Sequence, residues 1–317
     1  MEKKKYCGVV VPMVTPVNED GSLDTQAVER IINLFADNGV SPLLMGTTGE
    51  GNSVSAADGL LLVQTAVKAR NLRSAEGRLL PTGRKKSQII YANLTGNCFS
   101  EQLKQAEAYT QAGADVIVAT LPTYYALTAE QMENYYRRLA DSITGPLMLY
   151  NILATTHMSI PLDVVRRLAD HPNIVGIKDS ERDLERMAQC IDIARDRSDF
   201  AYFCGCAAHS ARALELGGDG IVPSTGNFVP AMYRQLYEAA VNGDMATVQR
   251  LQEETDAIGR TYQKDRTLGQ SLAALKVIMQ AYGLCEPWML MPLTRLSAEE
   301  EQAIKEIADH KFVDSKS

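Results

Sequence analysis

The chain has 317 residues, 45% hydrophobic, 22% charged and 6% aromatic, the balance of a globular protein with ample material for a large core. Its 32 basic residues against 39 acidic ones leave a formal net charge of −7, which disfavours a general nucleic-acid binder, because such a protein needs a basic footprint. Six cysteines without a C-x-x-C pair argue against a disulfide framework and a zinc ribbon.

In chain order, the first apolar run covers residues 8–13, too short and too broken by Pro12 for a secretory core or a membrane span. Cytoplasmic residence is the expectation. The basic runs, Lys3 to Lys5 and Arg84 to Lys86, read as solvated. Asp24 can cap a helix that places Val28, Ile31, Ile32 and Phe35 on one face and has Gly39 just past its end. Further strand candidates follow at 42–45, 88–92, 115–119, 146–150, 174–177, 200–203 and 220–222. Between them, Ser55 with Asp58 and Thr128 with Gln131 have capping-box spacing, and Pro161 suits a first helical turn. Residues 71–86 read as an insertion before the third strand. After Val222 the alternation gives way to helical patterns over 231–242, 245–258, 268–282 and 297–309.

Strands recur at roughly 30-residue intervals, the length of a βαβ unit. Eight β-α units under the right-handed crossover rule close into an α/β fold of the (β/α)8 barrel type, with its active site at the carboxyl ends of the strands. The rival, a doubly wound open sheet, would want a nucleotide fingerprint after the first strand, and residues 12–16 supply none. The expected organisation is a barrel over 1–225 with a C-terminal helical extension over 226–317.

Three strand ends carry chemistry. The second runs into Gly46-Thr47-Thr48-Gly49-Glu50-Gly51. Gly46 to Ser53 has the frame of a phosphate loop, but Asn52 stands in place of its lysine, which removes the cation that reaches the phosphates. What is left is a loop with adjacent hydroxyls and backbone N–H groups suited to a small carboxylate, or a tight turn that needs glycine. The sixth strand ends at Lys178. Desolvation there would lower a lysine pKa from about 10.4 toward neutrality and free the amine to form a Schiff base; the alternative is a rim ion pair with Asp179 or Glu181. The fifth ends at Tyr150, either a core phenol or, linked to Thr48, a carrier of the protons that carbinolamine chemistry moves. Cys204 and Cys206, two apart, would share one face of a strand.

Taken in order, Gly46-Thr47-Thr48-Gly49-Glu50, Pro122-Thr123-Tyr124-Tyr125, Tyr150-Asn151, Gly176-Ile177-Lys178-Asp179 and Gly217-Gly218-Asp219-Gly220-Ile221 resemble the dihydrodipicolinate synthase and N-acetylneuraminate lyase family, over roughly residues 6–295. The resemblance implies a tetrameric or dimeric class I aldolase acting on pyruvate or another 2-oxo acid and an aldehyde, without metal or cofactor; the charge balance and the short apolar runs already lead us to expect neither nucleic-acid nor membrane partners. It makes Lys178 the Schiff-base lysine, Tyr150 the proton-transferring phenol, and Thr47 and Thr48 the carboxylate binders. Tyr125 resembles a tyrosine that reaches a neighbouring subunit's site. Gly46, Thr155, Ser180, Gly205 and Ile221 complete the expected substrate-binding set.

Two departures bear on the substrate. Thr155 stands where synthases of lysine biosynthesis typically carry an arginine for the aldehyde's carboxylate, and a hydroxyl cannot replace a bidentate cation. Cys204 to His209 looks apolar where sugar-acid lyases present acidic side chains, so polyol hydroxyls would lack acceptors. His157 and His209 could supply polar contacts or be satisfied structural histidines. The expected activity is a pyruvate-linked C–C lyase, with dihydrodipicolinate synthase and a non-catalytic 2-oxo-acid-binding barrel as alternatives.

Overall fold

A computed structural model describes residues 4–75 and 88–312. Eight short strands, each too apolar to face water, lie side by side: β1 Gly8–Pro12, β2 Ser41–Leu44, β3 Tyr91–Leu94, β4 Val116–Thr120, β5 Leu147–Asn151, β6 Ile174–Asp179, β7 Ala201–Cys204 and β8 Gly220–Ile221. They pair in parallel in sequence order and close, β8 onto β1, so no strand edge remains.

Alternation sorts each strand's side chains between two cores. Val10, Leu43, Tyr91, Val118, Met148 and Phe203 pack inside the barrel. Val9, Val11, Leu44, Ile117, Leu149 and Ile177 face outward onto the helices. Gly220 is set by this packing, since a Cβ there would come within 2.3 Å of the Phe203 ring.

The helices begin where their sequences say they should. Asp24 accepts from the Ala27 N–H at 2.9 Å and opens α1 (Thr25–Asp37), whose Val28, Ile31, Ile32 and Phe35 are buried. Ser55 caps α2 (Ala56–Ala75) through the Asp58 N–H at 3.0 Å. α3 (Phe99–Gln111) follows, and both halves of the Thr128–Gln131 capping box form ahead of α4 (Ala129–Ser142). Then come the single turn α5 (Leu153–Thr156), α6 (Leu162–Leu168), α7 (Leu184–Arg195) and α8 (Ser210–Glu215). The tail comprises α9 (Pro230–Val241), α10 (Met245–Gln263), α11 (Leu268–Ala281) and α12 (Ala298–Phe312). Leu251, Ile258, Leu275 and Ile304 from the tail join the same outer core as the barrel helices. No helix among the described residues is long and apolar enough to cross a membrane.

Three expectations are corrected. β3 starts at Tyr91 rather than 88, because the approach is held by side chains: Gln88 donates to the carbonyls of Ile32 and Val40, and Asp115 accepts from the Ile90 N–H. Residues 71–75 finish α2 instead of opening an insertion; the remainder of that segment lies outside the described residues. Lys4 is not solvated: its ammonium donates to the carbonyls of Ala194 and Phe200 and pairs with Asp219 at 2.9 Å.

Candidate active site

Parallel register aligns Tyr150 on β5 with Lys178 on β6, and Lys178 with Phe203 on β7. Tyr150 and Lys178 both fall on inward positions, where they are 2% and 4% exposed. The Lys178 Nζ lies 3.6 Å from the centroid of the Tyr150 ring. β6 continues two residues beyond the expected end, so Lys178 belongs to the strand itself and Asp179 takes the opposite face.

That alternation disposes of the rim ion pair. Asp179 is engaged by Arg186 Nε at 2.8 Å and Asn151 Nδ2 at 3.2 Å. Glu181 accepts from Asn151 Nδ2 at 2.6 Å and from the Ser159 hydroxyl at 2.5 Å. Both acids are committed to Asn151 and Arg186, and among the described residues Lys178 has no carboxylate within 4 Å.

The phenol of Tyr150 shares a hydrogen bond with the Thr47 hydroxyl at 3.1 Å. The expected link to Thr48 is therefore corrected to Thr47. Met45 and Glu50 adopt left-handed backbone (φ 51° and 54°), which turns the loop so that Thr47 faces the phenol. Burial raises the Tyr150 pKa, but the Lys178 charge and hydrogen bonds from Lys178, Thr47 and Ser180 more than offset it, leaving the phenol below its ordinary value.

The loop carrying Thr47 and Thr48 is tightly built. A Cβ on Gly51 would come within 1.9 Å of the Met45 carbonyl, and Thr15 donates to the Gly49 carbonyl at 2.5 Å. The N–H groups of Gly49, Glu50 and Gly51 are used inside the loop, so fewer are free for an anion than the sequence suggests. Outside it, Glu50 is clamped to the helical tail: Lys276 Nζ lies 2.5 Å from Glu50 Oε1, and the Leu290 N–H donates to Oε2 at 2.8 Å.

These groups open into a cavity of about 450 Å³ lined by Thr47, Thr48, Tyr150, Lys178, Ser180 and Gly205 among others. Gly205 is required by close approach, since a Cβ there would sit 2.1 Å from the Ser180 hydroxyl oxygen. Gly46 and Thr155 line instead an adjoining cavity of about 310 Å³, which Thr47 also borders. Ile221 is buried in the outer core, and its neighbour Val222 lines the cavity in its place. Tyr125 is 71% exposed, stacked edge-on against Tyr124 at 4.9 Å, and lines neither cavity in this chain. Cys204 ends β7 buried, with its thiol pushed up to about 12 by burial, whereas Cys206 lies past the strand and lines the cavity. They do not share a face. His157 is exposed and His209 half-buried, and neither lines either of these two cavities.

Sequence reasoning missed Arg182, just past β6, and Gln263, Arg266 and Leu272 from the tail. Arg182 follows the strand closely enough that its position relative to Lys178 could have flagged it. The tail residues carry no local signal, because only the packing of α10 and α11 over the barrel mouth brings them in.

The model of the dihydrodipicolinate synthetase family matches residues 5–311. The chain belongs to this family. A 4-hydroxy-tetrahydrodipicolinate synthase of Laribacter hongkongensis (strain HLHK9) is 30% identical over 292 residues, 92% of this chain and 93% of that protein. A probable 2-dehydro-3-deoxy-D-pentonate aldolase of Escherichia coli (strain K12), YjhH, is 28% identical over 95% of this chain and 96% of its own length. Among solved structures of the family, the prophage protein YagE from E. coli K12, in complex with pyruvate, superposes with a TM-score of 0.85 at 26% identity, covering 96% of this chain and 98% of that one. The dihydrodipicolinate synthase of Bacteroides thetaiotaomicron gives 0.87 at 27%, covering 97% and 99%.

Proposed function

We propose that this chain is a Schiff-base lyase that makes or cleaves a C–C bond between pyruvate, or a related 2-oxo acid, and an aldehyde. The observation that carries this reading is the buried Lys178 amine, without a carboxylate partner among the described residues, 3.6 Å from the ring of a phenol that is itself bonded to Thr47. In the condensing direction, the Lys178 ammonium first gives up a proton to solvent, and the amine then adds to the C2 carbonyl to form a carbinolamine. Tyr150 delivers a proton to the departing oxygen, water leaves, and a protonated imine remains as the electron sink. Loss of a C3 proton gives an enamine that attacks the aldehyde carbon, and hydrolysis of the new imine frees Lys178. Cleavage runs the same steps backwards. Thr47 orients the phenol, and Thr47 with Thr48 offers hydroxyls to the 2-oxo acid's carboxylate at the Lys178 end of the cavity.

Dihydrodipicolinate synthase activity is the second reading, favoured by relatives that carry that name. Against it, Thr155 supplies only a hydroxyl, and from the adjoining cavity. A panel decides between them: pyruvate with aspartate semialdehyde, sugar aldehydes and N-acetylmannosamine, and cleavage of the matching 2-keto-3-deoxy acids. The proposal expects turnover with at least one pair other than pyruvate and aspartate semialdehyde; turnover confined to aspartate semialdehyde would favour the synthase.

The exposed Tyr124 and Tyr125, 78% and 71% accessible in the single chain, support a homo-oligomer that covers them, a dimer or tetramer on sizing. Six free cysteines accord with a reducing, cytoplasmic setting.

A further inference from the structure

A break in the barrel's ladder falls between the two strands that carry the lysine and the phenol. Of the eight strand pairings among the described residues, only β5–β6 shifts register. Leu147 faces Ile174, the next residue Met148 faces Gly176, and Val175 is the extra residue of a β-bulge. The consequence follows from alternation along a strand. Ile174 packs in the outer core, so a regular strand from that point would send Val175 and Ile177 inward and Lys178 out among the helices. Instead Val175 packs inside the barrel and Gly176, opposite the inward Met148 and Ala201, takes an inner position as well. Ile177 then returns to the outer core, and Lys178 reaches the cavity in register with Tyr150.

Two features hold that arrangement. At the bulge, β6 runs so close to β7 that a Cβ on Gly176 would lie 2.5 Å from the Ala201 carbonyl oxygen, a clash with backbone that no rotamer change relieves. Just past Lys178, Asn151 and Asp179 form the next register pair. They are 1% and 2% exposed, on a face that elsewhere carries residues such as Leu44, Ile117 and Leu149. Asn151 Nδ2 donates to Asp179 Oδ2 at 3.2 Å and to Glu181 Oε1 at 2.6 Å, and its Oδ1 accepts from the Ile160 N–H at 3.0 Å. Arg186 of α7 donates to Asp179 at 2.8 Å. Burying two carboxylates with one guanidinium is a poor route to stability, and fixing a register is the best-attested use of such groups. A slip of one residue would part Asn151 from Asp179.

We propose that the Val175–Gly176 bulge and the Asn151–Asp179 clamp together aim Lys178 at the 2-oxo acid beside Tyr150, which makes Gly176 and Asn151 positioning residues of the lyase. This rests on the Schiff-base reading of Lys178 and adds to it what orients the amine. Neither residue lines the Lys178 cavity, so both act through the strand that carries the lysine.

The test compares Gly176→Ala and Asn151→Ala with the parent once circular dichroism has shown which variants fold. Misplacing a reacting group by about 1 Å costs about 100-fold, so Gly176→Ala should lower kcat, and the rate of borohydride trapping at saturating pyruvate, by about that factor. KM for pyruvate should move by less than about 3-fold, because Thr47 and Thr48 are untouched. Asn151→Ala leaves Arg186 on Asp179 and should lower both rates by about 10-fold. Arg186→Lys keeps a cation for Asp179 and should stay nearer the parent than Arg186→Met. Burial raises the Tyr150 phenol, and the Lys178 charge is the strongest influence against it. With the lysine re-aimed, the alkaline limb of kcat/KM should therefore move to higher pH, a shift that lost stability alone does not produce. If Gly176→Ala does not fold, Asn151→Ala and the two Arg186 variants decide. Folded variants that trap pyruvate at the parent's rate with an unmoved limb, or that lose activity only through KM, would overturn the proposal. Trapping on Lys178 in the parent with no difference among the variants sinks this inference alone, and absence of trapping in the parent sinks the Schiff-base reading with it.

Discussion

Lys276→Met is expected to destabilise the protein and to disturb the substrate loop at once. Lys276 and Glu50 are 1% and 0% exposed and lie 2.5 Å apart, with the Lys276 ammonium also donating to the Trp288 carbonyl at 2.7 Å. Removing the cation leaves a carboxylate with little water and one N–H donor, from Leu290. Breaking one side of such a pair costs about 3–5 kcal/mol. With about 2.1 cal/mol/K of unfolding entropy per residue, a chain of this length should lose roughly 5–8 °C in Tm. Glu50→Gln combined with Lys276→Met removes both charges and keeps an acceptor for Leu290, so it should recover to within about 2 kcal/mol of the parent. Urea denaturation and thermal melts of the three proteins measure this directly. Because Glu50 closes the loop that presents Thr47 and Thr48, the single variant should also weaken pyruvate capture. A single variant as stable as the parent, or a double variant no better than the single, would refute the compensation argument.

Thr47→Val removes the hydroxyl bonded to Tyr150 and should lower kcat by about 100-fold, the lower range for a positioned proton-transfer group; Thr48→Val should act mainly on KM for pyruvate, and the reverse pattern would return the relay to Thr48. The phenol's lowered pKa places loss of its donor form, and so the alkaline limb of kcat/KM, below the usual phenol range. Thr47→Val deletes one of the bonds that lower it, so the limb should move to higher pH, as a rate profile would show. Gly205→Ala would bring a methyl within 2.1 Å of the Ser180 oxygen, so activity should collapse even if circular dichroism shows the barrel intact.

Much of this was legible in the sequence because a parallel barrel writes itself as apolar runs, and the inward-facing residues near the carboxyl ends of those runs reach the mouth. Lys178 and Tyr150 stand at such ends, and strand register then sets them together. Which threonine meets the phenol was not legible: it depends on left-handed backbone at Met45 and Glu50, neither of them glycine. β3 began late because Gln88 uses its side chain to satisfy backbone carbonyls that a strand would otherwise leave to its neighbour. Cys204 and Cys206 parted because the chain leaves β7 at Gly205. Arg266 reaches the cavity only through tertiary packing, more than 80 residues after Lys178 in the chain, and no local pattern marks such a contact.

The account stands on one covalent bond. Incubation with pyruvate and borohydride, followed by peptide mass mapping, should place a reduced adduct on the peptide carrying Lys178, and Lys178→Ala should abolish trapping and turnover together. An adduct on another lysine, or none with any small 2-oxo acid, would contradict it.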